Sequence, residues 1–111
     1  MKTENILGTI SVKAAVAIAE NLIVDITGAL GNATNIPLGV STTTTDLGEQ
    51  CPVVYSGVKL VLSGAAVTAG DLVKSDANAK AIPTLTNDKL VLGKALDAAT
   101  AADELIRVKL F

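Results

Sequence analysis

The chain has 111 residues, a formal net charge of −2 and no histidine, and half of it is hydrophobic although Tyr55 and Phe111 are its only aromatics. That length holds one domain, and its nine Lys and Arg are scattered singly, which excludes the clustered cationic face that nucleic acid requires. The longest apolar run, Ala14 to Ala19, falls far short of the ~20 residues of a spanning helix, so no membrane partner is expected.

In chain order the signals are those of short strands. Ile6 to Lys13 turns into a period-two alternation, and Leu22 to Thr27 is β-branched and closed by Gly28. Between them, Lys13 to Asn21 is rich in alanine but has no convincing cap, and it suits a helix or an extended segment equally. Ile36 to Val40 is a short strand candidate. Gln50 to Tyr55 and Val58 to Leu62 flank Ser56-Gly57, which suits a tight hairpin turn. Leu72 to Lys74 and Leu90 to Leu96 follow, then a loop, and Leu105 to Phe111 alternates as a half-buried closing strand. The connections 28–35, 41–48 and 75–81 are rich in Gly, Asn, Thr or Ala. The expectation is an all-β fold with little helix, a small β-barrel or β-sandwich. Residues 1–13 form an N-terminal extended arm or first strand, and residues 14–111 a single β domain.

An internal echo points to two pseudo-repeated halves meeting near Ser63 to Ala66. Leu38-Gly39-Val40-Ser41, with Gly48 further on, recurs as Leu92-Gly93-Lys94-Ala95 with Ala102, 54 positions later. Upstream, Val16 to Leu22 resembles Val67 to Leu72 at an offset of 51.

Catalytic chemistry finds little material. Without histidine the commonest general base and metal ligand is missing, and the single Cys51 allows neither a disulfide nor a thiolate cluster. Asp46 and Glu49 read as solvated loop groups, and Gly28-Ala29-Leu30-Gly31 lacks the spacing and the Lys-Ser/Thr ending of a phosphate loop. Asn32-Ala33-Thr34 serves better as a turn than as a glycosylation acceptor, since Lys2 is followed at once by Thr3, Glu4 and Asn5 with no secretory signal. A soluble, cytosolically made protein with no catalytic residues, cofactor, metal or small-molecule substrate is expected. So thin an aromatic payload also predicts burial against other copies or a larger scaffold, with a trimer favoured as the oligomer. One alternative is a biotinyl- or lipoyl-like carrier domain: Ala69-Gly70-Asp71 resembles the turn of those domains, and Asn87-Asp88-Lys89 would present Lys89 as acceptor. Another is a surface-layer or pilus-type subunit, which the missing export signal disfavours.

Read as one unit, Gly57 to Phe111 carries a further resemblance. Gly57-Val58-Lys59-Leu60-Val61, Thr68-Ala69-Gly70-Asp71-Leu72-Val73, Leu92-Gly93-Lys94-Ala95-Leu96 and Ile106-Arg107-Val108-Lys109-Leu110 resemble the small capsid decoration, or cement, proteins of tailed bacteriophages. Val16 to Val24, Leu38 to Ser41 and Gly48 to Gln50 extend the likeness more loosely. Asn78-Ala79 departs from the family's Asp-Gly turn, and Ala102 replaces its glycine before Asp103. The resemblance implies a β-barrel or sandwich on the outside of a phage shell, commonly trimeric, that bridges major capsid protein subunits. Candidate contact residues are Asn5, Ile6 and Leu7 in the arm and Thr42, Thr43, Thr44 and Asp46 in the polar loop, chosen for expected exposure.

Overall fold

The computed structural model describes residues 3–84 and 89–110. Asn87 and Asp88 of the carrier alternative, the ends of the predicted arm and closing strand (Met1, Lys2 and Phe111), and so part of those readings, lie outside the described residues. The strands are β1 (Asn5–Lys13), β2 (Ile23–Asp25), β3 (Pro37–Ser41), β4 (Gln50–Leu62), β5 (Leu72–Ser75), β6 (Ala81–Pro83), β7 (Gly93–Ala95) and β8 (Leu105–Leu110). They form one sheet in the order β2-β3-β4-β8-β7-β5-β6, with β1 added to β4. A parallel bridge from Ser63 to Ala81 and a hydrogen bond from Ile23 N to Ala79 O (2.9 Å) draw its ends together into a nearly closed barrel. The all-β class is as expected.

The long β4 organises this barrel. Val58 pairs with Asn5 of β1 and with Lys109 of β8, while Val54 pairs with Thr9 of β1 and with Val40 of β3. A residue paired twice has a partner on each edge. So β1 runs along one edge of β4, while β3 and then β8 share the other.

No hairpin turns at Ser56-Gly57; β4 runs straight through it. Gly57 serves a different need. Its φ is +105°, and a Cβ there would stand 2.2 Å from Asn5 O, so the glycine admits β1 at an irregularity in the pairing. The alanine-rich segment after β1 takes the extended option: Ala14 N bonds Glu49 O, and Ile18 bridges Thr45. Here tertiary pairing overrides helix propensity.

The halves repeat each other more closely than the sequence echo implies, at an upstream offset of 49. Val24 opposite Gly39 becomes Val73 opposite Gly93, and the Ile18–Thr45 bridge becomes Val67–Ala99. Val12 opposite Cys51 becomes Val61 opposite Ile106. Gly48 corresponds to Asp103 and not to Ala102: both N–H groups bond equivalent carbonyls, of Ala14 and Ser63, and both residues have positive φ. Aspartate tolerates that backbone better than most residues. Gly39 and Gly93 are equivalent for a packing reason, since a Cβ on either would fall about 2 Å from a carbonyl oxygen, of Val54 or Lys109.

Two apolar clusters result. The larger gathers Val61, Val67, Val73, Ile106 and Val108 with residues from the far faces of β2, β3 and β4, such as Ile23, Val40 and Val54. The smaller, Ala14, Ile18, Val24, Cys51 and Val53 with half-buried Val12, is the first half's equivalent. Cys51 is buried there as a small apolar residue.

Candidate interaction surface

β1 alternates apolar and polar residues as a half-buried strand would, yet all of it except Gly8 and Val12 is exposed. The cause is its place at the end of the repeat: β4 supplies one edge, and no described strand pairs the other. Ile6, Leu7 and Ile10 are 44%, 73% and 45% exposed, and Tyr55 of β4, with its ring tip over Gly8, is 46% exposed. Edge strands are ordinarily blunted with charge, proline or shortness, and this one runs for nine residues with Lys13 as its sole charged side chain.

Of the residues singled out in the sequence, Asn5, Ile6 and Leu7 are exposed at the start of β1. Thr43, Thr44 and Asp46 are exposed in the loop after β3, while Thr42 is half-buried with its N–H donating to Pro52 O (3.2 Å). The structure does not bring the two groups together. Pro52 and Gly57, their neighbours on β4, are five residues apart, which is roughly 17 Å of strand. Sequence reasoning passed over Ile10 and Tyr55 as part of this surface, and over Leu47, which is 67% exposed at the tip of the loop. The alternation of β1 and the turn character of Asp46-Leu47-Gly48 were the available signals. Lys89 sits exposed in a turn.

The surface has an electrostatic anchor. Just before β1, Glu4 Oε2 accepts from the buried Lys59 Nζ (2.6 Å) and from Leu60 N (3.1 Å). Burial pushes the Glu4 carboxyl up, but the Lys59 hydrogen bond, the Leu60 N–H and the Lys59 charge outweigh it and hold the group below its ordinary value. At the other end, buried Asp25 accepts from Thr27 N, Thr27 Oγ1, Ala29 N and Asn35 Nδ2, fixing the loop after β2. Burial raises its carboxyl too, and these bonds again leave it lowered. A shallow cleft, lined by Pro37, Leu38, Tyr55, Leu92 and Leu110, opens where the edge of β4 passes from β3 to β8. Among the described residues no group of three or more His, Cys, Asp or Glu could hold a metal ion, and no helix is long and apolar enough to cross a membrane.

What the arrangement offers is a strand edge, an apolar patch and a polar loop. Comparison with known proteins agrees with that character. No curated protein matches the chain. Among solved structures the head fiber gp8.5 N base of bacteriophage phi29 has the same fold, with a TM-score of 0.70 at 21% identity over 94% of this chain and 93% of that one. The sequence pattern described as phage cement protein matches residues 1–110, nearly end to end, and the chain belongs to that family of phage structural proteins.

Proposed function

We propose that this protein decorates the outside of a bacteriophage head and reinforces it by bridging neighbouring major capsid protein subunits, without catalysis. The single observation that carries this reading, beyond family membership, is β1: a nine-residue edge, with Ile6, Leu7 and Ile10 exposed on it, that has no described strand beyond it. Such an edge takes up a partner strand through main-chain hydrogen bonds. The Thr42 to Asp46 loop, roughly 17 Å along the molecule, supplies a second contact to an adjoining subunit. Individually weak contacts then combine through effective concentration, so the protein prefers an assembled lattice to a lone capsid subunit. The thin aromatic payload and the exposed Ile6, Leu7 and Ile10 also support association of the protein with itself, as a trimer. It is made in the host cytosol and carried on the virion.

Co-sedimentation with expanded heads lacking the protein tests the reading. The wild type is expected to pellet with heads and to ignore isolated capsid subunits, while an Ile6→Asp/Leu7→Asp variant stays in the supernatant with its β-type circular dichroism intact. Deleting residues 1–8 is a poorer probe, because it also removes Glu4 from buried Lys59. Failure of the wild type to bind heads refutes the proposal.

A further inference from the structure

Lys59 is out of place for a barrel core. Its counterpart in the first half is Ile10, it shares the inward face of β4 with Val61, and it is 2% exposed. Its ammonium meets three groups: Glu4 Oε2 at 2.6 Å, Asn21 Oδ1 at 2.6 Å and Leu60 O at 3.2 Å. An ion pair accounts for Glu4. It does not account for the side-chain amide held just as tightly on the same nitrogen.

Asn21 is fixed from both sides. Its N–H donates to Ser41 O (3.1 Å), its carbonyl accepts from Leu62 N (3.1 Å), and its φ of +63° turns the chain there. With Nζ 2.6 Å from Oδ1, the carbonyl length puts Nζ roughly 3–4 Å from Cγ, close to the separation of a near-attack geometry. Ile23 and Val61, both fully buried, flank these residues in the chain.

From this amine, amide and carboxylate we infer that Lys59 and Asn21 join in an intramolecular isopeptide bond, with Glu4 carrying the protons. Glu4 takes a proton from the Lys59 ammonium, and the freed amine adds to Cγ of Asn21, placing negative charge on Oδ1. Glu4 passes that proton to Nδ2 and takes a further one from the nitrogen of the adduct. The Cγ–Nδ2 bond then breaks as Oδ1 regains its carbonyl, and the departing ammonia takes the second proton from Glu4 and leaves as ammonium. One C–N bond forms and one breaks, no oxidant or reductant enters, and Glu4 ends as it began. The product is a covalent tie between the entry to β2 and the C-terminal part of β4, closing a loop that the barrel otherwise holds by hydrogen bonds. This inference does not depend on what the outer surface binds.

Intact mass spectrometry of the folded protein, incubated at neutral pH, tests it. The expected mass is lower than the sequence mass by one ammonia, about 17 Da, and fragmentation of a digest yields one species holding both the Asn21 and the Lys59 peptides. Lys59→Arg and Asn21→Ala variants are expected at their full sequence masses. Glu4→Gln keeps a hydrogen-bonding partner but cannot shuttle protons, and it slows the mass loss by about 100-fold or more. A wild-type mass that stays at the sequence value overturns the inference. So does a gain of about 1 Da, which is amide hydrolysis without linkage, or an ammonia loss that persists in Lys59→Arg.

Discussion

The two halves share a backbone plan and differ in how much of it they cover. Val61 in the second half is fully buried, while Val12, its equivalent, is half-buried at the rim of the smaller cluster. Lys59 is 2% exposed where Ile10 is 45% exposed. The polarity is inverted: the buried member is charged and the exposed member apolar. Strand geometry does not dictate this, because the two positions pair alike, with Val53 and with Val108. Position in the barrel does. The first half ends in the open at β1, whereas the second begins inside β4, beneath Glu4 and Asn21. Apolar side chains retained on the open strand are a cost to an isolated monomer, and their presence speaks for a partner.

The sharpest way to break the equivalence is at the paired glycines. Gly39→Ala and Gly93→Ala each drive a methyl group into a carbonyl oxygen, and each is expected to cost about 4 kcal/mol or more, read from urea denaturation midpoints. A large effect at one site alone would mean that the halves do not pack alike. Next come the matched core positions. Val61→Ala is expected to cost about 2–3 kcal/mol and Val12→Ala about 1, because the cavity at Val61 is enclosed on all sides. Equal losses would show that the small cluster is as tightly built as the large one.

Acid should loosen the first half at a more deeply buried carboxyl: Asp25 is 1% exposed, whereas Asp76, which accepts the matching amide bonds at the turn after β5, is half-buried. The folded carboxyl of Asp25 lies below its unfolded value of about 3.9, so its contribution is complete above that pH and is lost as pH falls through the lowered folded value. Amide exchange in residues 26–36 is expected to accelerate over that window, and Asp25→Asn should abolish the acid step. The smallest effect on stability is on the surface. Leu7→Ser is expected to change it by less than about 0.5 kcal/mol while weakening attachment to phage heads by tenfold or more.

Much of the architecture was legible in the chain, because alternation and punctuation are local. The last strand, the β2 region and the glycine echo at Gly39 and Gly93 all stand where the pattern puts them. Ser56-Gly57 misled because a glycine needed for close approach of another strand carries the same letter as one that reverses the chain. β6 was invisible, being three residues, Ala81–Pro83, in a segment that reads as connection. The likeness of Val16 to Val67 suggests an offset of 51; bridging to Thr45 and Ala99 makes Ile18 the true counterpart of Val67. In the candidate surface, Asn5 to Leu7 could be found by pattern. The Glu4–Lys59–Asn21 cluster could not, since its members lie 55 and 38 positions from Lys59 and meet only because β1 and the turn before β2 converge on β4.

β4 has a mechanical meaning as well. It closes the first half and opens the second, so no linker joins them and neither can swing against the other. A pull applied along β1 runs parallel to β4 and loads the hydrogen bonds between them in shear, all at once, instead of peeling them one by one. The same pull passes down β4 into its pairing with β8, six residue pairs in the opposite sense, from Gly57–Leu110 to Leu62–Leu105. A shell swelling beneath this protein would therefore strain both cores together, and the fold has no weak joint at its middle.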